Sequence, residues 1–514
     1  MRKKIALQLV FLVLLCSSVM FFANGKTVNI VDTGAKHDWV VASTPLKPKS
    51  QNEFDVVVVG SGIGGLSSAS ILAKKGYKVL VLEQHSQVGG FCSSYMRDGF
   101  TCCVGVLDVS GLHKMGATAT LLKKLELNKD DLFALHTRTY SIGNKKIVIT
   151  GTKNDFIKQI AKHYPHEKQA LKLFLDEGQQ AFEEFITGKG KNLQPDSLFF
   201  KWQTVTYQQK LDEFFKDTNV KNLLCSLLGY VDAQADKVPA SIALLGCLQY
   251  FIYGGYYPKG GPQHFSNSLK EVIEKNNGTV LTNCKVDQIL VSNNQVAGVH
   301  ANNQTFLSPI VVANANAKTT FLELIPQGAI NQKFIDAIAK LKMSFSAMMV
   351  TLGVDIDLSH LSSIIKVLDD DNKFSLYICS NADPTIAPQG KSTITFFVDT
   401  TYEETPQPGT PEYARYKETL AQQKITKIEK VIPELHKHIV IKEVLTPRSF
   451  ERFTSMPKGA IYSFDQSVGK QRPYFKTPLK GLYLASSSTG LGAGVEAVIM
   501  MGLQCASDIL KSQK

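Results

Sequence analysis

The clearest pattern in the chain is an apolar run, a glycine-rich break and a second apolar run between residues 54 and 83. The run "FDVVVV" is β-branched and bounded by polar residues and glycine, which is typical of a strand buried on both faces. "LSSASILAKKG" has the apolar spacing of a helix, and "KVLVLE" reads as the next strand. The pattern therefore predicts a strand, a glycine turn, a helix and a second strand that ends on Glu83.

The middle of the chain divides into a helical part and a strand-rich part. Apolar residues in "DFIKQIAKHY", "ALKLFLDEGQQAFEEFI" and "SIALLGCLQYFIY" predict helices between residues 155 and 250. Alternating and continuous apolar runs in "FSAMMVTLGVDI" and "STITFFVDT" predict strands between 343 and 400. A proline-rich loop and the amphipathic stretch "ARYKETLAQQKITKIEKVI" follow. These segments predict a second, mixed α+β unit.

The N-terminus has the pattern of a targeting segment. Three basic residues precede "IALQLVFLVLLCSSVMFFA", and small residues around Gly25 suit cleavage after that position. The alternative is an uncleaved membrane anchor, because the run is nearly long enough to span a bilayer. Residues 1–25 are thus expected to place the protein in the secretory pathway or at a membrane, in the ER lumen of a eukaryote or the periplasm or membrane of a bacterium.

Composition narrows the possible partners. The chain has 514 residues, 44% of them hydrophobic, which is enough for two or more domains, and a net charge of +12. The positive surplus favours contact with an anionic membrane surface or is only a solvated exterior. "DSLFFKW" (196–202) is the best candidate for a membrane-facing patch. Basic residues are nowhere interleaved with aromatic residues in a run, so a nucleic-acid partner is not expected.

Cysteine spacing predicts no metal site. The nine cysteines include no CxxC pair and no cluster with histidine at ligand spacing. The adjacent Cys102 and Cys103 are expected to be small buried hydrophobic residues rather than a redox pair.

The glycine-rich break carries the strongest chemical signal. Gly60, Gly62 and Gly65 form GxGxxG between a predicted strand and a predicted helix. In that context Gly60 allows the tight turn, Gly62 lets main-chain amides approach a pyrophosphate, and Gly65 lets the helix pack closely on the strand. The phosphates would lie at the helix N-terminus, and Glu83 would accept hydrogen bonds from a ribose. The segment therefore predicts dinucleotide binding.

A second glycine turn, Gly89-Gly90, follows the ribose acid and favours FAD over NAD. The run from Gly60 to Gly90 resembles the FAD-dependent oxidoreductases that include amine oxidases, phytoene desaturases, carotenoid isomerases and retinol saturases. "LEQHSQVGGFCSSY" followed by "GFTCCVG" is most similar to the retinol saturase and carotenoid isomerase branch. Phe91, Cys103 and Ser486 depart from the residues usual in this family at their positions.

Later segments extend the resemblance over most of residues 54–512. Residues 256–325 resemble the middle portion of the family, in which Val286 would hold the adenine and "VVANANA" would return to the flavin. "GLYLASSSTGLGAGVEAVIMMGLQCASDIL" resembles the closing motif, whose helix would begin near Gly492 to Val495 and point at the flavin. The cofactor-binding residues implied are Gly60, Ser61, Gly62, Ile63, Gly64, Gly65, Glu83, Gln84, Gly89, Gly90, Phe91, Val286, Ala313, Asn314, Ser487, Gly492, Gly494, Val495 and Glu496.

The predicted fold class is α/β: a Rossmann-like FAD-binding domain of the two-glycine-turn, glutathione-reductase-like type with an inserted α+β substrate domain. The FAD-binding domain comprises 51–150, 255–335 and 445–514, and the substrate domain comprises 151–254 and 336–444. The chain has a single GxGxxG unit, so no second nucleotide domain for NADPH is expected.

The resemblance implies an FAD-dependent oxidoreductase that saturates, desaturates or isomerises an apolar polyene, with an unidentified external electron donor or acceptor. One alternative is an amine or porphyrinogen oxidase, and another is a non-catalytic carrier of prenylated proteins with the same fold. No side chain identifies itself as a catalytic acid or base. Five residues near the predicted flavin could face it, although packing or gating is the favoured role of each: Tyr253, Tyr256, Tyr257, Lys259 and Tyr462.

Overall fold

The computed structural model describes residues 52–187, 196–231, 233–369, 372–465, 472–490 and 492–512. The predicted targeting segment, residues 1–25, lies outside the described residues. Within the described ranges, no helix is both long and apolar enough to cross a bilayer.

The described residues form the strands β1 to β19 and the α-helices α1 to α15. The strands are β1 (Val56–Val59), β2 (Val79–Leu82), β3 (Ser94–Arg97), β4 (Phe100–Cys103), β5 (Phe133–Leu135), β6 (Arg138–Ile142), β7 (Lys145–Ile149), β8 (Tyr256–Pro258), β9 (Thr279–Leu281), β10 (Val286–Ser292), β11 (Gln295–Ala301), β12 (Gln304–Leu307), β13 (Val311–Ala313), β14 (Ala347–Val354), β15 (Ile364–Val367), β16 (Phe374–Tyr377), β17 (Ser392–Asp399), β18 (Ile439–Leu445) and β19 (Leu482–Leu484). The α-helices are α1 (Ile63–Lys74), α2 (Ala117–Leu125), α3 (Lys129–Leu132), α4 (Lys153–His163), α5 (Lys168–Thr187), α6 (Leu198–Gln203), α7 (Tyr207–Phe214), α8 (Thr218–Cys225), α9 (Ala240–Ala243), α10 (Gln249–Ile252), α11 (Pro262–Lys275), α12 (Gln332–Ala339), α13 (Pro411–Ile428), α14 (Pro447–Thr454) and α15 (Val495–Ser512).

A five-stranded parallel sheet in the order β19-β13-β1-β2-β9 forms the nucleotide-binding core. Val56 and Val58 face one hydrophobic cluster, built with α1, α11 and α15, while Val57 and Val59 face another, built with the antiparallel meander β10–β12. Because both faces are covered, every residue of β1 is buried, as its unbroken valine run predicts.

A second sheet has seven strands in the order β18-β14-β17-β16-β15-β6-β7. Its pairs are antiparallel except for β15 with β6, which is parallel. Helix α13 packs on this sheet through Ala421, Ile425 and Ile428. Helices α4 to α10 form a separate helical lobe that shares one hydrophobic cluster with β6 and β7. The α/β class, with a Rossmann-like unit and a second α+β unit, is therefore confirmed.

The sheet pairing moves one predicted boundary. The prediction assigned all of 51–150 to the FAD-binding domain, but β6 and β7 lie in the seven-stranded sheet, where Arg138 is paired with Ile364. The two strands are close in sequence to the nucleotide-binding core, and local periodicity does not show which distant strand will pair with them. The remaining division into domains stays a prediction.

The segment predicted to face a membrane is instead packed inside the helical lobe. Phe199 is 5% exposed and Trp202 is fully buried, and the Trp202 indole N–H donates to Glu177 Oε1 at 2.8 Å. The prediction for 196–202 was wrong because helix α6 turns Phe199 and Trp202 toward Phe185 and Phe174 of α5 rather than toward solvent.

Candidate functional site

The first glycine turn ends β1 and starts α1. Gly60 has φ +90°, a left-handed conformation that glycine adopts without strain. Gly62 is the N-cap of α1, where no side chain caps the helix and no acidic residue occupies the first turn. The first amides of a helix have no partner within it, so they are open to an anion at this point.

Asn314 lies directly beneath this turn. A Cβ on Gly62 would come within 2.4 Å of Asn314 Oδ1, and one on Gly65 would come within 2.5 Å of the Gly60 carbonyl oxygen. The Asn314 amide N–H₂ donates to the Ala485 carbonyl at 2.5 Å, which fixes the side chain in place. The close contacts of Gly65 agree with its predicted packing role, and Asn314 leaves no room for a side chain at Gly62. The approach of a phosphate to Gly62 stays a prediction.

Helices α1 and α15 cross at two glycines. A Cβ on Gly64 would lie 2.3 Å from the Ala485 carbonyl oxygen, and one on Gly502 would lie 2.5 Å from the Gly64 carbonyl oxygen. This crossing joins the first glycine turn to the closing helix. The sequence interpretation missed Gly502, for which the only local signal is a glycine in an otherwise strong helical pattern.

Glu83 stands at the end of β2, next to the glycine turn. Its Oε2 accepts from the Ser61 amide at 2.9 Å and from Ser61 Oγ at 2.6 Å, and its Oε1 accepts from the His85 amide at 2.9 Å. An ionised carboxylate has about four lone-pair sites, so these three bonds leave roughly one for a ribose hydroxyl.

The second glycine turn contacts the first. The Gly89 amide donates to the Ser61 carbonyl at 3.0 Å, and Gly62 and Gly89 form a parallel bridge. Gly89 has φ +117° and Gly90 has φ +57°, which explains why both positions are glycine. The two turns, separated by more than twenty residues in sequence, thus form one continuous main-chain surface at the start of α1.

Residues on the predicted adenosine side lie beside Glu83. The Cys284 amide donates to the Glu83 carbonyl at 2.7 Å, and Val286 opens β10 two residues later and is buried. Gln84 donates from its side chain to Ser455 Oγ at the start of the loop after α14. The meander therefore begins where the resemblance predicts an adenine contact.

The closing motif brings its predicted residues to the carboxyl ends of the core strands. Ala313 lies between Val59 and Leu484 in the sheet, and Asn314 follows it. The Ser487 carbonyl accepts from Arg472 Nη1 at 3.4 Å. Helix α15 begins at Val495, the end of the predicted interval, after Gly492 (φ +82°) and Gly494 (φ +112°).

Glu496, in the first turn of α15, is bound to the protein itself. Its Oε2 accepts from Ser110 Oγ at 2.7 Å and its Oε1 accepts from the Ala117 amide at 3.2 Å. Burial raises the pKa of this carboxyl, opposed by those two hydrogen bonds. Glu496 therefore holds the segment that contains Ser110 against the start of α15, a contact that the sequence does not reveal.

Aromatic residues predicted near the flavin are held by packing. The Tyr253 ring stacks on His113 at 3.8 Å, and the Tyr257 hydroxyl lies 3.3 Å from Cys103 Sγ. Tyr256 accepts a hydrogen bond from Lys129 Nζ at 3.2 Å. Lys259 donates to the Asp130 carbonyl and Tyr462 packs edge-on against Phe345. Phe91 packs against Phe450 with 5.7 Å between ring centroids.

The structure brings the two glycine turns, Glu83 and Asn314 together at the start of α1. The helix N-terminus, the paired glycine turns and the carboxylate of Glu83 match the pyrophosphate and ribose of a dinucleotide. The residues present therefore fit FAD. The assignment of individual side chains to parts of FAD stays a prediction.

A protein-family comparison agrees with this geometry. The family model described as "Flavin containing amine oxidoreductase" matches residues 63–510. The chain is 29% identical to prolycopene isomerase 1 from an Oncidium hybrid cultivar, over 95% of this chain and 88% of that protein. It is 24% identical to human all-trans-retinol 13,14-reductase, over 89% of this chain and 86% of that protein.

A solved structure supports the same fold. An oxidoreductase from Methanosarcina mazei matches with a TM-score of 0.66 and 18% identity, over 88% of this chain and all of the other. Its likeness extends over both units, the nucleotide-binding core and the second sheet.

Proposed function

The chain belongs to the flavin-containing amine oxidoreductase family, and on that premise we propose that it is an FAD-dependent oxidoreductase acting on an apolar polyene of the carotenoid or retinoid type. The observation that carries this proposal is the contact between Gly62 and Gly89, which joins both glycine turns at the N-terminus of α1. FAD is the cofactor that the family and this geometry support.

When bound, FAD supplies hydride or single-electron transfer to and from the polyene. The chain's own residues would bind and orient the cofactor: Glu83 and the α1 amides would hold its ribose and pyrophosphate, and the α15 N-terminus would offer a positive dipole to the flavin. Glu496 holds the loop at Ser110 in position. No side chain is assigned as the proton donor.

The proposed substrate class rests on the named relatives, which match nearly the whole chain and whose names include prolycopene and all-trans-retinol. We place cis–trans isomerisation first and saturation second, because the isomerase shares the greater identity and covers the greater share of this chain. Desaturation is the third reaction to test. An external electron donor or acceptor is needed for the second and third reactions, and its identity is left open.

The test is anaerobic incubation of the FAD-loaded protein, oxidised or reduced with dithionite, with a panel of carotenoids and retinoids. Isomerisation leaves the product mass unchanged and shifts its retention time, while saturation adds two hydrogens and desaturation removes two. Free FAD and the heat-denatured holoprotein are the controls. A holoprotein that changes none of these polyenes would contradict the proposal.

Two other functions are less well supported. An amine oxidase would release peroxide when the holoprotein meets amines in air, a direct assay for that alternative. A prenyl-protein carrier has no need of the cofactor-binding turns, whereas all five glycines (Gly60, Gly62, Gly65, Gly89 and Gly90) are present here and the two turns meet.

For localisation, we propose entry into the secretory pathway or attachment to a membrane, on the basis of the basic and apolar pattern in residues 1–25. N-terminal sequencing of protein from its native host tests this. A mature N-terminus after Gly25 supports cleavage, an intact one in the membrane fraction supports an anchor, and an intact one in the soluble fraction contradicts both.

A further inference from the structure

A buried polar cluster lies between the seven-stranded sheet and the helical lobe. Its members, called here the Arg138 cluster, are Asp108, Arg138, Tyr140, Tyr230, Lys366 and Tyr377. Arg138 and Tyr140 are two apart on β6, and Lys366 is paired with Tyr140 on β15, so these three side chains share one sheet face. The site described above does not use this cluster.

The centre of the cluster is a bidentate ion pair. Arg138 Nη2 donates to both oxygens of Asp108, at 3.1 and 2.8 Å, and Tyr230 donates its hydroxyl to Asp108 at 2.9 Å. The Tyr377 hydroxyl lies 3.2 Å from that of Tyr230. A Cβ on Gly255 would come within 2.1 Å of Arg138 Nη2, so the chain there closes tightly over the pair. These contacts fix the orientation of the guanidinium.

The cluster carries more positive than negative charge. Lys366 is 3% exposed and donates to the Ser226 carbonyl at 3.2 Å and Ser375 Oγ at 3.0 Å, neither of which is charged. The titratable groups that act on Lys366 are Arg138, Asp108 and the Cys247 thiol, and of these Asp108 supplies the negative charge of the cluster. Two cations thus share one carboxylate in a buried layer, an arrangement that is costly without a further anion or acceptor.

Two buried polar atoms of the same cluster, Arg138 Nη1 and the Tyr140 hydroxyl, form no hydrogen bond of normal geometry in the described structure. The two side chains do interact with each other, and this contact opposes the rise in the pKa of Tyr140 that burial causes. A buried donor without an acceptor costs about 1–3 kcal/mol, so such groups are usually satisfied by a ligand or an ordered water. The missing acceptor and the surplus positive charge coincide on one sheet face.

The cluster adjoins the flavin end of the candidate site. Asp108 is two residues before Ser110, which donates to Glu496 in the first turn of α15. The Tyr250 ring is 5.5 Å from the Arg138 guanidinium and its hydroxyl interacts with Ser110. Ser110 and Tyr250 therefore connect the Arg138 cluster to the first turn of α15, where the flavin end of the site is predicted.

We propose that the Arg138 cluster receives the oxygen-bearing end of the polyene, with a carboxylate bound more tightly than a hydroxyl and a hydroxyl more tightly than a hydrocarbon end. This inference rests on the proposed function and narrows its substrate class to polyenes with an oxygenated end. Arg138 and Tyr140 supply the donors, and Lys366 supplies the charge that a carboxylate balances.

The test measures binding to the oxidised holoprotein by quenching of protein fluorescence. The probes are retinoic acid, retinol and the corresponding hydrocarbon, axerophthene. We expect retinoic acid to bind at least about tenfold more tightly than axerophthene, because a buried polar site rejects a ligand that leaves it unpaired. Equal affinity for all three probes would overturn the proposal.

Two variants locate the effect. Lys366→Met keeps a side chain of similar length without the charge, and we expect it to weaken retinoic acid binding about tenfold while axerophthene changes less than about twofold. Tyr140→Phe removes a hydroxyl that forms no hydrogen bond of normal geometry, so it is expected to fold and to weaken retinoic acid binding by about threefold. Lys424→Met, at a partly buried lysine over an aromatic ring outside the cluster, is the control. Unchanged retinoic acid affinity in both cluster variants would contradict the proposal.

Sodium acetate distinguishes a polyene end from a small free anion. If acetate raises the melting temperature of the wild-type protein but not of the Lys366→Met variant, and retinoic acid shows no preference over axerophthene, the cluster binds a free anion and the proposal is wrong. The proposed function fails separately: it fails if no polyene reacts, and it survives if axerophthene and retinoic acid react equally well.

Discussion

Replacing Gly62 with alanine tests how the first glycine turn is built. Its φ of −62° suits any residue, so the added methyl group causes no backbone strain and acts only through space. The new Cβ would lie 2.4 Å from Asn314 Oδ1, well inside van der Waals contact. Asn314 is held by its hydrogen bond to the Ala485 carbonyl and has little freedom to move.

The free-energy cost of Gly62→Ala depends on which neighbouring groups must move. Displacing Asn314 sacrifices a hydrogen bond worth about 0.5–1.5 kcal/mol, and overpacking adds about 1–3 kcal/mol. We expect a total of about 2–4 kcal/mol. If the strained turn relaxes in the FAD-free protein and FAD binding forces it back into the native conformation, the strain opposes binding and weakens the affinity for FAD by up to roughly 30- to 1000-fold. Strain that does not relax lowers the unfolding free energy of both forms instead.

The assay combines FAD titration of the apoprotein, followed by flavin fluorescence, with urea unfolding of the apoprotein and holoprotein. Asn314→Ala removes the oxygen atom with which the new methyl group of Gly62→Ala would clash. The free-energy loss of the double variant is therefore expected to be smaller than the sum of the two single losses by at least about 1 kcal/mol. Gly229→Ala is the control, because a Cβ there meets nothing within 4 Å. Additive effects of the Gly62 and Asn314 substitutions would refute this explanation of the turn.

Three further predictions concern buried charges. Burial raises the pKa of Glu496, so the stability that its protonated form gives is lost as the pH rises from about 4.5 through the higher native pKa. Over that range the unfolding free energy of Glu496→Gln, measured with urea, is expected to increase relative to that of the wild type. Parallel curves of unfolding free energy against pH would contradict this. Burial lowers the pKa of Lys366 to about 8, so the unfolded chain keeps the Lys366 proton to higher pH than the native protein does. Between pH 8 and 10 the unfolding free energy of the wild type should therefore rise by about 2 kcal/mol relative to that of Lys366→Met, and a constant difference between the two proteins would contradict this. Asp108→Asn leaves Arg138 buried without its counter-ion and should lower the unfolding free energy by about 3–5 kcal/mol. Asp355→Asn, in an exposed pair with a histidine, should lower it by less than about 1 kcal/mol. Similar losses in the two variants would show that burial of the ion pair does not determine its contribution.

Local patterns predicted the nucleotide-binding core well. The valine run of β1, the glycine turn and the helical spacing of α1 all agree with one another, so the unit is specified by residues close together in sequence. Helix α15 begins at Val495, within the interval that the closing motif gave. The family resemblance and FAD as cofactor are confirmed by the match over residues 63–510.

Contacts between distant segments were beyond reach of the sequence pattern. The pairing of β6 with β15, the crossing of Gly64 with Gly502 and the bond between Ser110 and Glu496 each join residues that lie far apart in the chain. Trp202 was predicted wrongly for the same reason. An aromatic residue beside a lysine suggested a membrane-facing surface, but the indole N–H of Trp202 instead donates a hydrogen bond to an acidic side chain inside the protein. Such choices depend on tertiary packing, which propensity does not encode.

The most direct test of the account is the flavin content of the purified full-length protein. We predict a yellow protein with a flavin absorption spectrum, one FAD per chain after denaturation and release, and loss of that FAD in Gly62→Ala but not in Gly229→Ala. A colourless wild-type protein that takes up no FAD when the cofactor is added in excess would contradict the central claim.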